Sequence, residues 1–150
     1  MFAPTSTPML ADAVPLALAD TVDPAVTDQL FAGLRRHNEL FAGPFDRHPL
    51  MITARAPDGV LLGGMTGFTQ WQWLYVDYLW VAADERGAGL GSRLLRAAEE
   101  EGVRRGCGWA RLNTYDFQAP GFYAKHGYEQ CGVIEGYPPG HRLIWLRKTL

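Results

Sequence analysis

Fourteen residues, Leu79–Ser92 (LWVAADERGAGLGS), constrain this chain more than any others. An apolar, alternating stretch that ends near Val81 reads as a strand. Glycines then fall at every second position, Gly87, Gly89 and Gly91, and an amphipathic helical pattern opens from them. Leu90, Leu94 and Ala98, with Leu95 beside them, share one helix face. The first turn of a helix has backbone N–H groups without intrahelical partners, and the dipole adds partial positive charge there. Glycines admit an anion close to the main chain, and Arg86 supplies a fixed charge. The segment is therefore a receptor for phosphate or pyrophosphate. It is not a P-loop, because no Gly-Lys-Ser/Thr follows. Nor is it a dinucleotide fingerprint: the glycine spacing is wrong, and the loop comes late in the chain.

The rest of the chain gives this loop a mixed α/β setting. Residues 1–13 read as a mobile tail, and residues 14–150 as one domain. Val14–Ala19 suits a short first strand, and Asp23-Pro24 starts a helix expected to bury Leu30, Phe31, Leu34 and Leu40. His48–Ala56 and Val60–Thr69 flank the turn Pro57-Asp58-Gly59; Gly63, Gly64 and Gly67 mark a bulge or a close backbone approach. Trp71–Val81 reads as a central strand, with Trp71, Trp73, Tyr75 and Asp77 on one face and Tyr78 and Trp80 on the other. Trp109–Thr114, a short helix Ala119–His126 capped by Gly127, and the pair Tyr128–Glu135 and His141–Arg147 complete the order. With 47% hydrophobic and 20% charged residues, disorder and fibrous classes are excluded. A net charge of −2 provides no field for nucleic acid or an anionic membrane. Neither a secretory signal nor a span of roughly twenty apolar residues is visible. Cys107 and Cys131 read as reduced thiols, consistent with a cytoplasmic location, and no spacing suggests a metal site.

Two segments together resemble the GNAT acyltransferase superfamily. Its pyrophosphate loop, Gln/Arg-x-x-Gly-x-Gly/Ala after a Leu-x-Val strand end, is similar to Arg86-Gly87-Ala88-Gly89-Leu90-Gly91 after Leu79-Trp80-Val81. A second element, Phe/Leu-Tyr-x-x-x-Gly-Phe/Tyr, resembles Phe122-Tyr123-Ala124-Lys125-His126-Gly127-Tyr128. The segment Glu135–His141 looks like a bacterial branch of the superfamily with uncharacterised substrates. The resemblance implies an α/β (α+β) fold. Its mostly antiparallel sheet would have about six to seven strands, helices on both faces, and a bulge that splays the fourth strand from the fifth. It also implies transfer of an acetyl group from acetyl-CoA to a primary amine in a direct ternary complex.

Residue by residue, the resemblance assigns Leu79, Trp80 and Val81 to the pantetheine arm and the thioester carbonyl. Arg86, Gly87, Ala88, Gly89, Leu90, Gly91 and Ser92 fall to the pyrophosphate. Tyr123 becomes the general acid at the thioester sulfur, and Asp77 the acceptor of the amine proton. One position departs from the pattern: Asp116 stands where the family often has Asn seven residues before its Tyr, and Asn113 is the substitute cofactor contact. Aromatic residues around a carboxylate can cage a cationic amine, which makes Trp71, Trp73 and Tyr75 candidate substrate contacts as well as candidate core. Tyr137 and His141 join them from the Pro-Pro loop, or only fix its geometry. The acceptor is a small-molecule or protein amine, and a homodimer is common among relatives. The second function class is a non-catalytic acyl-CoA-binding module or dimerisation domain.

Overall fold

The computed structural model describes residues 14–150; the segment 1–13 lies outside the described residues. The chain falls into two compact units, one ending at Phe41 and one spanning Ala42–Leu150. In the first, helix α1 (Pro24–Ala42) starts where Asp23 caps it, its Oδ1 accepting the Ala25 N–H at 2.8 Å. Two expectations fail there. Val14–Ala19 forms no strand, and Leu16 and Leu18 are 97% and 98% exposed. Pro15 has no N–H for a ladder, and the alternation is short. Leu30, Phe31, Leu34 and Leu40 are exposed rather than buried: among the described residues this unit has one helix and no strand for it to close on.

The second unit is a six-stranded sheet in the order β1-β2-β3-β4-β6-β5. The strands are β1 (His48–Arg55), β2 (Leu61–Gln70), β3 (Trp73–Val81), β4 (Trp109–Tyr115), β5 (Glu129–Glu135) and β6 (Arg142–Thr149). All neighbours are antiparallel except β3 and β4, so the fold is the expected mixed, mostly antiparallel one. Helix α2 (Leu90–Arg104) connects that parallel pair, and α3 (Pro120–Lys125) follows β4. The core lies on one sheet face: Leu50, Met65, Leu74, Val76, Ala110, Leu112, Ile144 and Leu146 meet Leu95 and Ala98 of α2. Gly102 is buried where α2 meets β3, and a Cβ there would sit in van der Waals contact with Leu74 at 3.4 Å. Gly106, at φ +84°, takes the left-handed conformation that ends the helix region.

The site is shaped by two irregularities on β3. Trp71 and Gln72 form the two-residue hairpin turn rather than the start of the strand, with φ of 49° and 64°. Asp46 Oδ1 accepts the Trp71 N–H at 3.0 Å and holds the turn. Further along, Val76 pairs with Gly67 but Tyr78 pairs with Thr66, so Asp77 is an unpaired bulge residue. Directly opposed residues share a face. Tyr75 opposes Phe68, Tyr78 opposes Thr66 and Trp80 opposes Gly64, which puts Trp73, Tyr75, Tyr78 and Trp80 on one face. The expected segregation of Tyr78 and Trp80 from Trp73 and Tyr75 is therefore wrong, because the extra residue reverses the alternation. Gly67 permits the bulge: a Cβ on it would stand 2.1 Å from the Tyr75 carbonyl oxygen.

Beyond the bulge the sheet opens. The β3–β4 ladder holds only from Trp73–Trp109 to Tyr75–Arg111, while β3 continues to Val81 and β4 to Tyr115. The splayed pair is thus the third and fourth strands, one fewer than expected, because the first expected strand does not form.

Candidate active site

The glycine loop follows the far end of β3, past the point where β3 and β4 have separated. After β3, residues Ala83–Glu85 make a short 3-10 turn, and Gly87 and Gly89 take φ of +80° and +85°. Nothing lies within 4 Å of the place a Cβ would occupy on either, so the space beside the loop is open. Gly89 starts α2 with no side-chain cap, and the first intrahelical bond runs from the Arg93 N–H to Gly89 O at 3.1 Å. The N–H groups of Leu90, Gly91 and Ser92 precede that bond and are the free donors of a helix start. Arg86 Nε donates to Val81 O at 3.1 Å, which folds the loop back on the strand end. The loop thus supplies what a diphosphate needs: unused amides, room, and a guanidinium.

The strand edge beside the loop presents amides as well. Ala82 N–H bonds back to Leu62 O at 2.8 Å. Along an antiparallel ladder the direction alternates, so Val81 and Leu79, and not Trp80, turn their N–H groups toward the gap.

Helix α3 brings the second motif to the same place. A Cβ on Gly91 would lie 3.5 Å from the Phe122 ring, and Ser92 Oγ lies 2.9 Å from His126 Nε2. Tyr123 is 9% exposed, packed edge-on against Phe122 at 5.1 Å and Tyr128 at 5.9 Å. Burial raises the phenol above its usual value near 10, so it holds its proton at neutral pH. Tyr128 is raised further, by burial first and then by Glu99. Of the two hydroxyls, only that of Tyr128 is sealed from solvent with no partner in hydrogen-bond geometry.

Both motifs, the splayed strands and the open loop agree with one family, and direct comparison bears this out. The model of the acetyltransferase (GNAT) family matches residues 20–128. The chain is a member of the GNAT acetyltransferase family. It is 34% identical to an acetyltransferase of Agrobacterium fabrum over 131 residues, 87% of this chain and 96% of that one. It is 54% identical to blasticidin-S acetyltransferase of Streptomyces morookaense over 83 residues, 55% of this chain; the match spans only 61% of that relative. The crystal structure of an acetyltransferase from Bacillus cereus superposes with a TM-score of 0.79 at 29% identity, covering 89% of this chain and 98% of that one.

On this GNAT framework the remaining candidate residues fall into two groups. Trp71, Trp73 and Tyr75 line one cavity together with Phe68, Gln70 and Arg111, and Asn113 Nδ2 donates to the Tyr75 hydroxyl at 3.2 Å. Asp116, Tyr137 and His141 gather elsewhere, beyond the end of β4. His141 Nδ1 lies 3.1 Å from Asp116 Oδ1, and Arg142 Nε 3.8 Å from its Oδ2. Tyr115 stacks on Phe117 at 5.1 Å and meets Tyr137 at 6.0 Å, and Phe117 meets His141 edge-on at 4.9 Å. Asp77 is exposed at the bulge. Sequence reasoning missed Phe68, Arg111 and the Ser92–His126 contact, each of which depends on register between strands or helices that no local spacing encodes. Among the described residues, no helix is long and apolar enough to cross a membrane.

Proposed function

We propose that this GNAT protein transfers an acetyl group from acetyl-CoA to a primary amine of a small molecule, with both substrates bound at once. The observation that carries the proposal is the open loop of free amides at the mouth of the strand gap, with a protonated tyrosine on the adjoining helix. The N–H groups of Gly87, Gly89, Leu90, Gly91 and Ser92, with the Arg86 guanidinium, hold the diphosphate. Ala88 spaces the two glycines, and Leu79, Trp80 and Val81 flank the pantetheine arm. When bound, acetyl-CoA supplies an activated acyl carbon and a thiol leaving group. The Val81 N–H, turned toward the gap, stabilises negative charge on a carbonyl oxygen. The Tyr123 hydroxyl donates a proton to the leaving sulfur, and the Asp77 carboxylate takes one from the amine, directly or through water. Asn113 orients Tyr75 on the acceptor side. Tyr137 and His141 border that side at the wide end of the gap.

The likeness to blasticidin-S acetyltransferase favours a small-molecule acceptor over a protein. Free Cys107 and Cys131 suit a reducing cytoplasm, and a homodimer is the proposed assembly. A free-thiol assay over an amine panel tests the reading: CoA release that requires an amine supports it. Stabilisation by acetyl-CoA with no release from any amine supports a binding module instead. In the same assay Asp77→Asn is expected to depress turnover about 100-fold or more near neutral pH. The loss shrinks as alkali leaves the amine deprotonated without help. An Asp77→Asn pH–rate curve parallel to the wild type rules out this role for Asp77.

A further inference from the structure

The sheet face opposite the core carries a cavity of about 200 Å³ lined by Phe68, Gln70, Trp71, Trp73, Tyr75 and Arg111. Its walls are aromatic, and cations stack on them. Arg111 Cζ lies 4.5 Å from the centroid of the Tyr75 ring, and Arg47 Cζ 3.7 Å from that of Phe68. Stacking occupies the flat face of a guanidinium and leaves its N–H donors free at the edge. Arg111 is half-buried, and among the described residues its guanidinium meets no hydrogen-bond acceptor and no carboxylate. Its cross-strand partner on β6 is a second cation, Arg147, which also faces Glu129 on β5. At the cavity's turn, Asp46 Oδ1 accepts the Trp71 N–H. A half-buried guanidinium whose donors are open to solvent and free of protein partners, set beside another cation, is the arrangement an oxyanion completes.

We infer that this cavity receives a carboxylate of the acceptor, and that the acceptor is a planar, ring-bearing amino acid. The ring lies against Trp73 and the carboxylate meets Arg111. Tyr75 and Arg111 are the last paired residues before the strands separate, so a molecule anchored there extends its other end toward the gap. The space suits one substituted ring, being smaller than the usual cleft for a drug-sized ligand of ~300–1,000 Å³. For its amine end the inference rests on the transferase reading above; the anion site stands on its own geometry.

The test uses 4-(aminomethyl)benzoate and its primary amide, followed by quenching of tryptophan fluorescence without any thioester present. The acid is expected to bind at least about tenfold more tightly than the amide, the size of one charge-assisted contact. Arg111→Gln is expected to abolish that preference, with Arg111→Lys keeping part of it. Equal binding of acid and amide, or no quenching by either, overturns the inference. That wild-type comparison decides even where Arg111→Gln does not fold. Acid-selective, Arg111-dependent quenching with no CoA release from any amine leaves this site standing and defeats the transferase reading. Acetylation of amines with no preference for the acid does the reverse.

Discussion

Tyr123→Phe is expected to lower kcat by about 10²- to 10³-fold, the range for removing a positioned general acid. The KM for acetyl-CoA should stay within about twofold, because a phenylalanine preserves the ring packing and changes ground-state binding little. That packing is specific: the ring meets Phe122 at 5.1 Å and Tyr128 at 5.9 Å, and the side chain is 9% exposed. The hydroxyl is the one group removed, and burial keeps it protonated as a donor must be. Steady-state kinetics over both substrates checks the split. Turnover unchanged within a factor of two would assign the proton on the leaving thiol to water instead.

Gly67→Ala is expected to have the largest effect on stability. The added carbon would be 2.1 Å from the Tyr75 carbonyl oxygen, and both clashing atoms belong to the framework of paired strands. Neither can swing away as a side chain does, so β2 and β3 must part at the bulge or the bulge must be lost. Overpacking that displaces backbone costs about 3 kcal/mol. For a chain of this size that corresponds to a drop in Tm of roughly 6–12 °C. Gly108→Ala is the control, since nothing lies within 4 Å of its Cβ position and its φ is not positive. Denaturant titration of both variants checks the difference. A Gly67→Ala protein within about 0.5 kcal/mol of Gly108→Ala would show that the bulge is not what requires this glycine.

The same glycine shows what the sequence could and could not say. Gly63, Gly64 and Gly67 in one strand signal a close backbone approach, and each has one: Trp80 O at 3.0 Å, Ile52 O at 2.9 Å and Tyr75 O at 2.1 Å from the Cβ position. The signal does not say where the opposite strand absorbs the extra residue. That unread position, Asp77, reverses the alternation and moves Tyr78 and Trp80 onto the face of Trp73 and Tyr75. Trp71 was equally illegible as a turn residue, since bulky aromatics rarely take positive φ. The glycine loop and the Phe122–Tyr128 segment could be read as family motifs because each is a run of consecutive residues, which local spacing does encode. Arg111 could not, because its stacking partner, the Tyr75 ring, lies one strand away. Val14–Ala19 misled through its weak alternation, which any short apolar segment can produce.

The most direct measurement of the central claim is the amide ¹H–¹⁵N spectrum of the protein titrated with acetyl-CoA. If main-chain donors grip the diphosphate, the Gly87, Gly89, Leu90, Gly91 and Ser92 resonances move first and furthest, and Arg86→Ala weakens the affinity several-fold without changing which amides respond. If acetyl-CoA binds while those five resonances stay in place, the diphosphate lies elsewhere and the mechanism built on this loop is wrong.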